Sequence, residues 1–319
     1  MKIKYLSFLS VLACFAVVVL HANGTFWTFD TSFRWVSANV LESIFYFAVP
    51  VFFMISGATL IDYRERYDTK TYFKKRVLKT LIPFLFWSVA YFLFHLFTGA
   101  YETEKISVGW FISKLMNSEF CPVFWFFTPL FTCYLCIPII SLIPKENRKK
   151  AFEYLIIIGF ITISLLPLIF NLLQLKFNFG LRLPLLGEGY LLFILIGYYI
   201  QNYPIKRTFR IVIYALGLLG FALHLGGTWA LSFNRGDIVR VFKDYINAPA
   251  VLYSVAIFTL FKYMPENKVT LPLYNAAQKI SSATFGVYLI HIALLSGLEL
   301  LCSYIISRYQ LPVDLNGLG

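Results

Sequence analysis

Four side chains or groups in this chain have the type and placement to do chemistry. The first is His21, at the far end of an apolar run from Tyr5 to Leu20 that Lys2 and Lys4 precede. An ionisable group near hydrocarbon depth is costly and needs a functional or pairing reason. A neutral imidazole titrates near pH 6.5, which suits it to take a proton from a hydroxyl or to act as a nucleophile. The competing reading is a hydrated polar residue at the membrane interface. The second is Glu42, in Ala38-Asn39-Val40-Leu41-Glu42-Ser43 beside the next apolar run. A short connection joins the two runs, so Glu42 is placed to orient the His21 ring. It would otherwise serve the start of its helix, where acidic groups are favoured.

The third group is basic. Arg66, Lys74, Lys75 and Arg76 lie in a dense cluster between Asp62 and Lys79. Arg and Lys hold phosphate groups, but juxtamembrane cations also fix orientation and touch anionic lipid. The fourth group is scattered. His291 sits within the last apolar run, one turn from Tyr288. Glu188 is flanked by Gly187 and Gly189, and Trp125 stands in the run Phe124-Trp125-Phe126-Phe127. The glycines would admit a ligand or another backbone close to Glu188. His291 and Trp125 could contact a ligand or simply pack between helices. His95 and His224 read as interfacial or packing residues.

Long helices must position these groups. Hydrophobic residues make up 59% of the 319 and charged residues only 14%, against about 25% charged in soluble domains. The expected fold is all-α, a polytopic transmembrane bundle of about nine to ten spans in one integral-membrane domain over 1–319. Nine spans can be placed, at roughly 4–22, 39–61, 78–98, 123–143, 151–173, 185–201, 209–231, 246–264 and 281–306. The first has a basic start like a signal peptide, but His21-Ala22-Asn23-Gly24 is a poor cleavage site, so it is expected to be retained.

With a cytoplasmic N-terminus, nineteen of the 28 Lys and Arg fall on inside segments, and their excess alternates loop by loop. His21 and Glu42 then lie toward the outer face and the Asp62–Lys79 loop toward the cytoplasm. This distribution accounts for the net charge of +12 without a nucleic-acid partner. Of the five cysteines, Cys133 and Cys136 have C-x-x-C spacing, but no second pair or histidine completes a metal site. There is no G-x-S-x-G elbow, no Walker loop and no dinucleotide-binding glycine pattern.

The order of pieces resembles acyltransferase family 3 of bacterial membrane acyltransferases. The matching segments are Tyr5–Leu9 leading to Val17–His21; Ala48–Gly57; Phe73-Lys74-Lys75-Arg76 followed by Leu81-Ile82-Pro83; Phe124–Phe127 with Tyr134 and Pro138; and Ser281–His291. The resemblance implies transfer of an acetyl or other short acyl group from acyl-CoA to a hydroxyl of a surface glycan or its lipid-linked precursor, in the bacterial inner membrane. With that activity, His21 and Glu42 are read as the catalytic pair, Arg76, Lys75, Lys74 and Arg66 as the coenzyme A contacts, and Glu188, His291 and Trp125 as substrate-binding candidates, His291 on either the acyl donor or the acceptor sugar. Acetyl-CoA is then a donor substrate, and no tightly bound cofactor or metal is expected. Two departures stand out. The family has an arginine eleven positions before the first-span histidine, where this chain has Ser10. It also has a tenth span, whereas this chain runs out in Ser307–Gly319. The alternatives are therefore a small-solute transporter or glycan exporter, and an inactive truncated copy.

Overall fold

The computed structural model describes residues 3–102, 104 and 106–309. The tail from residue 310, counted above against a tenth span, and Lys2, counted among the inside charges, lie outside the described residues. The fold is an all-α polytopic bundle. Seven of its helices are long and apolar enough to cross a membrane: α1 Lys4–Ala22, α2 Phe33–Glu65, α3 Thr69–Phe97, α5 Pro122–Ile140, α6 Lys145–Leu172, α8 Arg207–Arg235 and α11 Thr284–Tyr309. Two shorter apolar helices, α7 Tyr190–Asn202 and α9 Ala248–Tyr263, occupy the places of two further expected spans. Two short helices outside the expected spans complete the set, α4 Val108–Met116 and α10 Thr270–Ile280.

One boundary differs in an instructive way. The basic segment before Lys79 is helical from Thr69 rather than a loop, and it runs on into the third span. Asp68 is the reason: its carboxylate accepts the Thr71 backbone N–H at 2.9 Å, satisfying a donor that a helix start leaves free. Lys74, Lys75 and Arg76 therefore stand on a helix in fixed register. Just beyond them the helix widens into a π turn at Val77–Leu81. Pro83 follows and has no N–H for the carbonyl four residues back, so the backbone ladder must rearrange there. The same pairing recurs in α6, where a π turn at Phe160–Leu165 precedes Pro167.

The chain forms two compact units, one of the described residues up to Ala58 together with those from Arg148 onward, the other Thr59–Asn147. In the smaller unit, aromatic rings fill the core. Phe84 packs on Phe124 and Phe127 with centroids 5.8 and 4.8 Å apart, and the buried Tyr72 donates its hydroxyl to the Tyr134 carbonyl at 3.1 Å.

In the larger unit, close helix contacts are made by glycine. A Cβ added to Gly197 of α7 would lie 2.0 Å from the Met54 carbonyl oxygen of α2, and one added to Gly57 would lie 1.9 Å from that of Ile194. Each helix thus seats its bare backbone on the other, as small residues allow within membranes. Gly197→Ala is expected to destabilise the protein by roughly 1–3 kcal/mol through this overlap, read as a lower melting temperature in detergent. Gly226→Ala, where a Cβ meets nothing within 4 Å, should leave it unchanged.

Candidate active site

His21 is set by its position on α1. Ser10, Cys14 and His21 share one face of that helix, because eleven residues at 3.6 per turn make just over three whole turns. This face lies along α11. Ser10 Oγ is 3.1 Å from Thr284 Oγ1, and Cys14 Sγ donates to the Thr284 carbonyl at 3.4 Å. At the other end of the seam the His21 and His291 rings meet with centroids 5.1 Å apart. The two helices run in the same direction, Ser10 to His21 on α1 alongside Thr284 to His291 on α11. Position 10 is about 16 Å below His21 on the same face.

His291 is buried, and its Nδ1 lies 2.6 Å from the Tyr288 carbonyl. A carbonyl can only accept, so Nδ1 carries the hydrogen and Nε2 of the neutral ring is the basic nitrogen. That Nε2 is buried without a hydrogen-bond partner. His21 opens to the surface. The pair therefore combines an accessible imidazole with a shielded one whose tautomer is held by the backbone.

Glu42 is placed differently from the expectation. It is buried at 4% exposure, and no described hydrogen bond joins it to His21. Its carboxylate instead accepts from Asn23 Nδ2 at 3.3 Å, and the same amide donates to the Ala38 carbonyl at 2.8 Å. Asn23 follows the last turn of α1, two residues past His21, so this amide ties the end carrying His21 to α2. Glu42 is thus linked to His21 through the chain, by way of Asn23, rather than through the ring. Beside it lie Ser43, which is 3.1 Å from His224 Nδ1, and Tyr46, whose ring stacks on Tyr245 at 4.4 Å.

Lys243 faces this cluster from the segment between α8 and α9. It is 7% exposed. Its ammonium sits 4.2 Å from the Phe26 ring centroid and 5.5 Å from that of Tyr46, and it has no hydrogen-bond partner. Burial pulls its pKa from the ordinary lysine range down to about 7, and the Glu42 carboxylate opposes that shift. Lys243 also lines a cavity of about 560 Å³, whose wall carries Arg182, Arg235, Arg240, Asp244 and Asn247 as well.

Glu188 is exposed between two glycines with left-handed backbone, φ 52° at Gly187 and 100° at Gly189. What approaches Gly189 is protein: an added Cβ would meet Ile163 at 2.8 Å and Ile246 at 3.1 Å, two side chains of the cavity wall. Glu188 and Asp244 both act on the Arg182 guanidinium, whose pKa burial lowers and these carboxylates raise.

The remaining predicted residues belong to the smaller unit. Arg76 lies between the Tyr72 and Tyr134 rings at 5.8 and 5.3 Å, with Nε buried and unpartnered. Lys75 Nζ is 3.6 Å from the Tyr67 centroid. Arg66 donates to the Thr59 carbonyl at 2.5 Å, and Lys74 is exposed. Trp125 lies in the 3₁₀ turn that opens α5 and is 37% exposed.

Sequence reasoning missed Asn23, Lys243 and the arginines of the cavity. Asn23 reads as an ordinary turn residue. Lys243 beside Asp244 reads as a solvated loop charge. Only their burial distinguishes them.

The geometry now meets an independent comparison. The model of an acyltransferase domain family, acyltransferase family 3, matches residues 3–312. The chain belongs to this family. It is a membrane acyltransferase, transferring groups other than aminoacyl groups. Comparison with characterised proteins and with solved structures gave no match. The match spans both compact units, so the His21–His291 seam and the basic face of α3 both lie within the matched residues.

Lys243 generates a pH prediction. Between pH 7 and the ordinary lysine range the unfolded chain holds a proton that the folded protein has released. Stability therefore rises with pH through that window, and the contribution is lost as pH falls through 7. Melting temperatures taken from pH 6.5 to 9.5 should climb in the wild type, and that component of the slope should vanish in Lys243→Met.

Proposed function

We propose that this acyltransferase O-acetylates a hydroxyl of an extracytoplasmic glycan or its lipid-linked precursor, with acetyl-CoA as donor and His21 as general base. The observation that carries the reading is the α1–α11 seam, which sets an accessible imidazole against a second, backbone-held one at the end of the first span. A neutral imidazole at that place is suited to take the proton of an attacking hydroxyl. The acceptor's ester C–O bond forms as His21 takes the hydroxyl proton, and coenzyme A leaves as the thiol once its C–S bond is broken; the acetyl group reaches His21 either on a deep coenzyme A arm or by an acyl relay. Glu42 is a positioning residue, holding Asn23 and so the last turn of α1.

The donor is assigned to the basic face of α3. Coenzyme A carries a pyrophosphate and a ribose phosphate, and guanidinium groups match both charge and geometry. Arg76 supports this best, since its Nε has no protein partner and its aromatic neighbours hold the side chain in place. Lys74, Lys75 and Arg66 supply the surrounding positive potential. The distribution of Lys and Arg supports a cytoplasmic N-terminus in the bacterial inner membrane, with α3's basic turn on the donor side. Glu188, His291 and Trp125 remain the substrate-binding candidates.

Two variants test these roles. His21→Ala should lower turnover roughly 10²–10⁴-fold while expression stays normal. Mass spectrometry of surface glycans is the measurement, with the gene intact, deleted, and restored as the variant. Loss of one acetyl mass on deletion, unrescued by His21→Ala, is the expected result; rescue would remove the base assignment. Arg76→Glu should raise the KM for acetyl-CoA by about tenfold or more, the scale of one lost charge-assisted hydrogen bond. An unchanged KM would make the patch topological.

A further inference from the structure

The cavity beside Lys243 has a composition that acetyl transfer by itself does not require. Arg182, Arg235, Arg240 and Lys243 line it, against Asp244 as the acid on its wall. Asp244 and Glu188 act on Arg182 and Glu42 acts on Lys243, so the four cations around about 560 Å³ are only partly compensated. Lys243 Nζ and Arg182 Nε are buried and have no hydrogen-bond partner among the described residues. Buried polar groups left in this way are rare and call for a missing partner.

With Asp244, Glu188 and Glu42 counted, the four cations keep a net positive charge, which suits an anion. A phosphate or diphosphate offers these side chains more acceptor oxygens than a single carboxylate does. Arginine forks bind such oxygens two at a time. Aromatic rings stand at the same place. Arg182 lies 4.5 Å from the Phe179 ring centroid, and Phe179 is itself part of the wall and 59% exposed. An exposed ring beside a phosphate site suits a sugar.

Location ties the cavity to the chemistry. Arg240 lies 6.0 Å from the Trp27 ring centroid and Lys243 lies over Phe26, so the cavity is at the end of α1 that carries His21. Lys243 is shared, lining the cavity while Glu42 acts on it.

We propose that this cavity binds the phosphate or diphosphate of the acceptor, a saccharide joined to its carrier through phosphate. The assignment deepens the acetylation reading and rests on it for the word acceptor; the anion site itself does not. A class of reaction that builds glycosyl phosphates must then act before this enzyme.

The test uses the full chain in a neutral detergent with inorganic pyrophosphate as probe. In the wild type, phenylglyoxal modification of Arg182 and Arg240, read by peptide mass spectrometry, should slow at least fivefold when pyrophosphate is added. By calorimetry, the double variant Arg182→Gln with Arg240→Gln should raise the dissociation constant for pyrophosphate at least tenfold, with the acetyl-CoA dissociation constant unchanged. Absence of protection in the wild type would overturn the proposal, whether or not the double variant folds. Protection by phosphatidylglycerol nanodiscs but not by pyrophosphate would make this a lipid headgroup site and also overturn it. Displacement of pyrophosphate from these arginines by coenzyme A would assign the cavity to the donor, with the same consequence. Unaltered glycans on gene deletion would remove the acetylation reading and leave the protection result standing.

Discussion

A carboxylate and an ammonium buried in one end of the larger unit set the terms for what surrounds them. Glu42 and Lys243 are 4% and 7% exposed, and neither charge is tolerable there without the other's field or a hydrogen bond. Glu42 recruits the Asn23 amide, which pins the end of α1. Lys243 is held over the Phe26 and Tyr46 rings, which draws the segment before α9 against the loop after α1. His21, the Asn23 turn and the cationic cavity are thereby gathered at one end of the unit. The arrangement explains why a carboxylate expected to touch the histidine sits one link away: it is already engaged in neutralising a buried cation.

The helices that support this end are joined by two different kinds of contact. Along the α1–α11 seam, polar side chains meet at intervals, Ser10 with Thr284 and His21 with His291. Between α2 and α7 backbone meets glycine, beside the apolar contact of the Phe53 and Tyr190 rings at 4.9 Å. The first kind presents groups able to exchange protons, and the second holds the scaffold in register without adding polar atoms. Ser10 gains meaning from the seam. An arginine there would place a cation beside Thr284; the serine instead makes a neutral hydrogen bond that ties α1 to the first turn of α11.

The fold class was legible because hydrocarbon imposes it. A run of about twenty apolar residues can satisfy its backbone in lipid only as a helix, so nine apolar segments could be read directly, and each is occupied by a described helix. The basic start of α3 reads as a loop in the sequence because its charges obscure the apolar period, while Asp68, the residue that starts the helix, carries a capping signal only one residue long. His21 and His291 were legible as ionisable groups in apolar runs, and the structure joins them on one seam. Glu42 was legible as a buried acid but not in its partner.

Composition and apolar length determined by themselves that this chain is a helical membrane protein with a histidine at the end of its first span, properties set within single segments by the solvent around them. The acyltransferase activity was implied by the resemblance of its ordered motifs to a family. Tertiary structure alone decided that Asn23 binds Glu42, that Lys243 faces the same cluster from two hundred residues away, and that four cations surround one cavity. Burial converts an ordinary loop lysine into a constrained charge, and burial depends on which segments fold over it rather than on its neighbours in the chain.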